Sequence, residues 1–366
     1  MSFSVFDHQC MAEALQLARK GLNTTQPNPR VGCVISKNEQ VVGRGWHEKA
    51  GEAHAEVHAL KDAGDKAEGA TAYVTLEPCS HSGRTPPCVD ALIRAKIARV
   101  VCAVKDPNPD VNGSGIHRLQ QAGIEVQSGL MAVEAERLNP GFLMRMRQGR
   151  PWVRVKLAQS FDGHIGLANG SSQWISGPQA RADVQNWRAR SDAILTGIGT
   201  VLADDPSLNV RNSENPRQPL RVIVDSHWRM PINARLLGLP GKVLLVGSID
   251  NAVPDTLQDS IAECLGLSSF DGRVDLKALL QELGRRQINE IQVEAGATLC
   301  GALLDQGLID ELLIYQAPVL LGGGARSPFA APRLDNMDDR VHLQWIDSRR
   351  FGEDMRFRLR PVYQER

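Results

Sequence analysis

"GEAHAEVHAL", residues 51–60, places two histidines and two glutamates within ten positions. A solvated helix face has no need of imidazoles and carboxylates at that density. His54 and Glu56 lie two apart, so on a helix they do not share a face and need not do the same job. The next soft ligands stand in "LEPCSHSGRTPPCVD", residues 76–90, as Cys79 and Cys88. One imidazole and two thiolates make a three-ligand zinc set with a fourth position open, which is how catalytic zinc sites are built. The open position takes a water whose pKa the metal lowers toward ~7. A carboxylate beside that water, itself no ligand, can carry its proton, and Glu56 suits that task.

The segments around these residues alternate in period. "DHQCMAEALQLARKGL" has helical spacing, with Asp7 as N-cap and Gly21 as stop. "VGCVISKN" and "QVVGRGWH" read as strands about an Asn-Glu turn, "EAHAEVHALKDAG" as a helix and "ATAYVTLEPC" as a strand. "PCVDALIRAKI" is helical, "RVVCAVKD" a strand, and "GIHRLQQAGIEV" a helix followed by a strand. This succession predicts an α/β domain with a largely parallel sheet. The single helix expected over "AVEAERLNPGFLMRMRQGR" leads to Pro151 and a new strand, so the boundary is placed between domains 1–147 and 148–366. In the second half "DAILTGIGTVLADD", "LRVIVDS", "KVLLVGS", "INEIQVEAG" and "DELLIYQAPVLLGGG" read as strands, several continuously apolar as buried parallel strands are. "GPQARADVQNWRARS" and "DLKALLQELGRR" read as helices, and "RLDNMDDR" as a polar loop.

Bulk properties narrow the partners. A chain of 366 residues, 42% hydrophobic and 23% charged, is an ordinary globular composition with room for two cores. Lys+Arg and Asp+Glu both total 42, and neither half is basic, so nucleic acid is not an expected partner. No apolar run approaches the ~20 residues that span a bilayer, and the N-terminus has no basic segment followed by an apolar one. Seven cysteines, an odd number in a long chain, point to a reducing cytoplasm. Cys10, Cys33, Cys102, Cys264 and Cys300 sit in apolar patterns and read as core, whereas Cys79 and Cys88 are flanked by proline and polar loop residues.

H-x-E, then P-C, then a second Cys opening a helix is the layout of the zinc nucleobase deaminases. The spacing departs from the usual C-x-x-C, since eight residues separate Cys79 and Cys88, and the inserted loop can carry substrate contacts. His58, on the face of His54, is a rival ligand. As a fourth ligand it would turn the set into a structural zinc knot in an interaction protein. A third reading keeps a deaminase of another substrate beside a ligand-binding or dimerising module.

The resemblance then becomes specific. "TQPNPRVGCVI", the G-x-G-x-H of residues 43–47, "GEAHAEVHAL" and "EPCSHSGRTPPC" together resemble the deaminase domain of the bifunctional riboflavin-biosynthesis deaminase/reductase family. The second half is similar to that family's reductase domain through "KLAQSFDGHI", "SQWISGPQAR", "ILTGIGTVLADDPSLNVR", "VEAGATLCGALL" and "APVLLGGGA". The resemblance implies a cytidine-deaminase-like three-layer α/β/α domain followed by a dihydrofolate-reductase-like α/β domain. The first would remove the 2-amino group from 2,5-diamino-6-(5-phosphoribosylamino)pyrimidin-4-one as ammonia, using one Zn2+. The second would use NADPH to reduce the ribosyl group, giving 5-amino-6-(5-phosphoribitylamino)uracil.

Because that substrate carries a phosphate, the basic and donor-rich side chains near the metal turn, His81, Arg84 and Thr85, with Asn28 and His47, are the candidate substrate contacts in the first domain. Carried over by motif from the family, the nucleotide in the second domain would meet Ala158, Trp174, Thr200, Asp204, Ser226 and the turn Gly296, Ala297, Thr298, Leu299, Cys300, Gly301 and Ala302. The substrate would meet Ser172, Arg188, Leu208, Arg211 and Glu294, with Arg188 and Arg211 suited to clamp the sugar phosphate. Three glycine-bearing turns, "LTGIGT", "VEAGATLCGA" and "LLGGGA", follow apolar strands where backbone amides can approach a phosphate. Lys156 has no assigned role. By analogy the reductase domains pair into a homodimer or tetramer.

Overall fold

Helix α1 (Val5–Arg19) begins at Ser4, three residues before the expected cap. Ser4 Oγ accepts from the Asp7 amide at 3.1 Å and the Asp7 carboxylate accepts from the Ser4 amide at 2.8 Å. Asp7 is thus the returning acid of a capping box, which satisfies two orphan donors at once. The chain is described by a computed structural model covering residues 3–80, 86–109, 111–211, 217–258, 260, 262–332 and 334–363. It divides into two compact units, Met1–Gly149 and Arg150–Arg366.

In the first unit α1 is followed by β1 (Gly32–Lys37), β2 (Gln40–Trp46), α2 (Ala55–Ala63), β3 (Thr71–Val74), α3 (Cys88–Arg94), β4 (Arg99–Cys102), α4 (Ser114–Gln121), β5 (Glu125–Ser128), α5 (Ala132–Leu138) and α6 (Pro140–Gln148). The sheet order is β2-β1-β3-β4-β5. β3, β4 and β5 run parallel, but β1 is antiparallel to both its neighbours, so the sheet is mixed rather than largely parallel. The β1–β2 hairpin turns on Asn38 and Glu39, at φ 51° and 56°, the two-residue turn whose twist suits a hairpin. Apolar side chains of α1, α5 and α6 form one core against the sheet, and those of α2, α3 and α4 form another on the opposite face. This is an α/β/α sandwich. The one helix expected over residues 132–150 is two, because Asn139 leaves helical backbone and Pro140 restarts it at the position a proline tolerates.

Two glycines allow the helices to lie directly on strands. A Cβ on Gly32 would stand 1.9 Å from the Ala14 carbonyl oxygen of α1, and one on Gly45 would stand 2.3 Å from that of Ala55 in α2. The G-x-G of residues 43–45 is therefore a helix–strand contact that brings the start of α2 down onto β2.

The second unit contains β6 (Trp152–Gln159), α7 (Pro178–Arg190), β7 (Ala193–Gly197), α8 (Ile198–Asp204), β8 (Leu220–Val224), β9 (Val243–Ser248), α9 (Asp255–Gln258) and β10 (Glu263–Leu267). Then come β11 (Ser269–Phe270), β12 (Arg273–Val274), α10 (Leu276–Arg285), β13 (Glu290–Val293), α11 (Ala297–Asp305), β14 (Glu311–Gln316), β15 (His342–Phe351) and β16 (Asp354–Val362). The large sheet runs β10-β9-β8-β7-β13-β6-β14-β16-β15. It is parallel from β10 to β14, and the β15–β16 hairpin adds antiparallel strands at one edge. The apolar run after Ala193, expected as strand throughout, turns into α8 at Ile198, whose side chain is buried beside Val201 on the helix. After β7 the chain moves outward through β8, β9 and β10, then returns to lay β13 between β7 and β6. The chain leaves β7 toward β8 and leaves β13 toward β14 on the other side, the reversal of direction beside which open α/β sheets bind ligands.

Under α7 lies a charged core. Arg154 is fully buried, 3.1 Å from both Glu290 and Glu311, with its guanidinium 4.5 Å from the Trp187 ring centroid. Arg190 and Arg358 complete the pairing of the two glutamates, at 2.9 and 2.6 Å.

Candidate active sites

His54 caps α2 and Cys88 opens α3, so two helix starts converge on one point. Cys79 arrives from the turn after β3, and its carbonyl accepts from the Val89 amide at 3.2 Å. His54 Nδ1 stands 3.2 Å from Cys88 Sγ and 3.5 Å from Cys79 Sγ. All three ligand atoms lie within 4.8 Å of one another, and among the described residues no fourth His, Cys, Asp or Glu joins them. A tetrahedral zinc with ordinary bond lengths separates an imidazole nitrogen from a thiolate sulfur by about 3.5 Å, so the donor set fits that ion. His58, the rival ligand, is outside the group.

Electrostatics fit the same reading. The Cys79 thiol is pulled well below the usual thiol range, because the Cys88 thiol donates to its sulfur and His54 adds a second donor, against the opposing effect of burial. The shared bond and burial push the Cys88 thiol far up. The arrangement favours charge on one sulfur, and thiolate is the form that binds metal. Glu56, in the first turn of α2, is 3% exposed. Burial, and then the Cys79 sulfur, push its carboxyl up to about 7. A nearby divalent cation would draw it down again, leaving a group able to accept and return a proton near neutrality.

The turn that carries Cys79 is held by residues the sequence did not single out. Glu77 is buried and accepts from the backbone amides of Asp106, Gly113 and Ile116, each at 3.1 Å. Arg118 donates to the Ser80 carbonyl at 2.8 Å and to Asp90 of α3 at 2.6 Å. Their sequence signal was a lone acid in "EPC" and a lone Arg on a helix, and neither identifies its partners. Asn28 and His47 come together, with Asn28 Nδ2 3.1 Å from His47 Nε2. The His47 ring stands 5.1 Å edge-on from that of His54. His81, Arg84 and Thr85 lie outside the described residues.

In the second unit several residues from dispersed motifs lie at or just past the carboxyl ends of strands, Ala158 on β6, Ser226 after β8 and Glu294 after β13. Glu294 follows β13 and receives a two-pronged ion pair from Arg188 of α7, Nε to Oε1 at 2.6 Å and Nη2 to Oε2 at 2.8 Å. Arg188 also donates to the Asn209 carbonyl at 3.0 Å, so much of its guanidinium is committed within the protein. Arg211 is exposed and donates to Asn209 Oδ1 at 3.2 Å. Burial pushes the Glu294 carboxyl up, but Arg188 and then Lys156 outweigh it and hold it down to about 2. Lys156 on β6 therefore belongs to this electrostatic cluster. Burial pulls its ammonium below the usual lysine range, against the attraction of Glu294.

Thr200 is on α8 and Asp204 is its exposed last residue. Leu208 is buried with φ 45°. Ser226, just past β8, accepts from the Val274 amide at 3.1 Å. Ala158 lies near the carboxyl end of β6, beside Tyr315 of β14. Ser172 is half-buried, while Trp174 is 71% exposed with Arg181 4.7 Å from its ring centroid. Gly296 caps α11, with Ala297, Thr298 and Leu299 in its first turn and Ala302 half-buried beyond. Cys300 points into the core and gives its amide to the Gly296 carbonyl, and Gly301 packs under Ala330 and Ala331. Those two stand behind the turn.

Comparison with known proteins places both halves. Residues 4–104 match the cytidine and deoxycytidylate deaminase zinc-binding region, and residues 151–357 match the RibD C-terminal domain. The riboflavin biosynthesis protein RibD of Escherichia coli (strain K12) is 51% identical over 363 residues, covering 95% of this chain and 98% of its own. RibD of Acinetobacter baumannii, form 1, superposes with a TM-score of 0.91 at 47% identity, covering 98% of this chain and 99% of its own. The Thermotoga maritima diaminohydroxyphosphoribosylaminopyrimidine deaminase/5-amino-6-(5-phosphoribosylamino)uracil reductase superposes with a TM-score of 0.86 at 31% identity, again over 98% of this chain and 99% of its own. Matched over nearly its whole length, this chain belongs to the RibD family of riboflavin biosynthesis proteins, bifunctional enzymes that join a deaminase to a reductase.

Proposed function

We propose that the first unit hydrolyses the 2-amino group of 2,5-diamino-6-(5-phosphoribosylamino)pyrimidin-4-one and that the second reduces the ribosyl group of the product with NADPH, giving 5-amino-6-(5-phosphoribitylamino)uracil. The observation that carries the first half is the meeting of His54, Cys79 and Cys88 with Glu56 buried beside them. One zinc ion held by the three would supply the Lewis acidity that makes water nucleophilic at neutral pH. Glu56 takes the proton from that water and delivers it to the departing amine, so that ammonia leaves as a neutral molecule. Asn28 lies one imidazole away from His54 and meets the pyrimidine. His81, Arg84 and Thr85 are proposed for the phosphorylated side of the substrate on the chemistry of their side chains alone.

In the second unit NADPH supplies a hydride, and the chain's task is alignment. Gly296 to Leu299, Thr200 and Ser226 follow the carboxyl ends of β13, β7 and β8, which supports placing the nucleotide there. Ala158, Trp174, Asp204 and Ala302 complete the proposed nucleotide side, with Cys300 and Gly301 backing the turn from the core. Ser172, Leu208, Arg188, Arg211 and Glu294 form the substrate side, with Arg211 offering a guanidinium to the sugar phosphate and Arg188 fixing Glu294. The enzyme is proposed to work in the cytoplasm as a homodimer or tetramer.

Incubating the purified chain with the diaminopyrimidine phosphate tests both steps. Without NADPH the product should show replacement of an amino group by oxygen. With NADPH it should gain two further hydrogens. Unchanged starting material in the presence of zinc would overturn the first half, and a deaminated product that NADPH leaves untouched would overturn the second.

A further inference from the structure

We propose that His47 is a positioning residue: its imidazole fixes the orientation of the Asn28 amide so that Oδ1 is presented to a ring N–H or exocyclic amine of the pyrimidine. The inference rests on the deaminase reading of this site. His47 is 2% exposed, and both ring nitrogens are occupied within the protein. Nδ1 lies 3.1 Å from the Ala53 carbonyl oxygen, which can only accept, so Nδ1 carries the proton. Nε2 is then an acceptor, and the atom 3.1 Å from it is Asn28 Nδ2, a donor. An amide that donates through nitrogen on one side must offer its oxygen on the other. No protein partner for Asn28 Oδ1 occurs among the described residues, and Asn28 is half-buried.

Ala53 precedes His54, and the two imidazoles meet edge-on at 5.1 Å, so this chain of bonds ends beside the metal ligands. Leu22 and Leu138 carbonyls hold Arg30, and the Arg30 amide donates to Asn139 Oδ1 at 2.8 Å, which pins the segment carrying Asn28. What the backbone leaves free is the rotation of the Asn28 amide, and His47 supplies the bond that sets it. A reversed amide would present a donor to the pyrimidine, and an N–H facing an N–H forfeits the bond.

The direct test is the imidazole tautomer of His47 in the zinc-loaded full chain, read by ¹⁵N NMR on histidine-labelled protein with His47→Phe to assign the signals. A proton on Nδ1 and a bare Nε2 are expected. A proton on Nε2 would force the Asn28 oxygen toward the ring and overturn the proposal. Kinetics give the second arm. His47→Phe should keep its zinc and raise KM for the diaminopyrimidine phosphate about three- to tenfold, with kcat changed less. In an Asn28→Ala background the same substitution should leave KM nearly unmoved, since the residue it acts through is gone. An equal KM penalty in both backgrounds, or loss of zinc from His47→Phe, contradicts the proposal. If His47→Phe does not fold, the wild-type tautomer still decides, with Asn28→Asp assigning the signal through its shift. A protein that fails to deaminate at all overturns the deaminase reading, while the tautomer measurement reports on the pair regardless.

Discussion

At Glu56 the account depends on a single carboxyl. Glu56→Gln keeps the size and the hydrogen-bonding reach but cannot exchange a proton. It should retain zinc and lose deamination by ~10²–10⁴-fold, while reduction of separately supplied ribosylaminouracil phosphate proceeds at the wild-type rate. Near-normal turnover would remove Glu56 from the chemistry. Residues of this kind were legible because zinc hydrolysis demands uncommon side chains at fixed local spacing, and His54, Cys79 and Cys88 have few other uses in such loops. Glu77, Arg118 and Lys156 were not legible. Each works through partners far away in sequence, Glu77 through amides of residues 106–116 and Lys156 through the field of Glu294. A lone acid or lysine in a chain carries no sign of that.

The helix–strand contacts decide whether those residues arrive together. Gly45→Ala would put a methyl group 2.3 Å from the Ala55 carbonyl oxygen and 2.5 Å from the Ala59 amide nitrogen, both backbone atoms that cannot step aside. Helix α2 would have to lift from β2 and carry His54 with it. Overpacking of this kind costs about 1–3 kcal/mol, so the variant should melt several degrees lower and bind zinc less tightly. Unchanged melting and metal content would show that α2 is not seated by this contact. Most elements of the first unit were readable because hydrophobic period and turn residues agreed. The misreadings have physical causes. Ile198 and Val201 continue the apolar run of β7 although the backbone has already turned into α8, and periodicity cannot separate a short buried helix from a strand. The β15–β16 hairpin has little signature in the sequence because β15 is polar or exposed along most of its length and shows no buried face.

Across the whole molecule, the order of strands was the least legible feature, since which strand returns between β7 and β6 depends on contacts among distant segments. That order lays β13 and β14 on either side of β6 and so gathers the buried charges beneath α7. Glu311 is pushed up by burial but held down to about 2 by Arg154 and Arg358, and Glu294 likewise by Arg188. Their folded values lie below the ordinary 4.5, so the unfolded chain takes up protons first on acidification. The stabilisation is complete above pH ~4.5 and is lost as pH falls toward ~2. Glu311→Gln should cost about 3 kcal/mol at pH 7 by leaving buried Arg154 short of a partner, and should flatten the acid limb of the melting curve. An unaltered limb would mean that other carboxylates set acid stability. β15 is a ten-residue edge strand with Trp345 exposed, the sort of edge that native chains cover. Sedimentation at micromolar concentration should therefore return at least twice the chain mass, and a monomer would contradict the proposed oligomer. The central claim is the centre formed by His54, Cys79 and Cys88, and zinc K-edge X-ray absorption of the purified full chain tests it most directly. Two sulfur scatterers at about 2.3 Å and two nitrogen or oxygen scatterers at about 2.0 Å are expected. A protein that takes up no zinc, or a zinc surrounded by four side-chain ligands, would contradict the account.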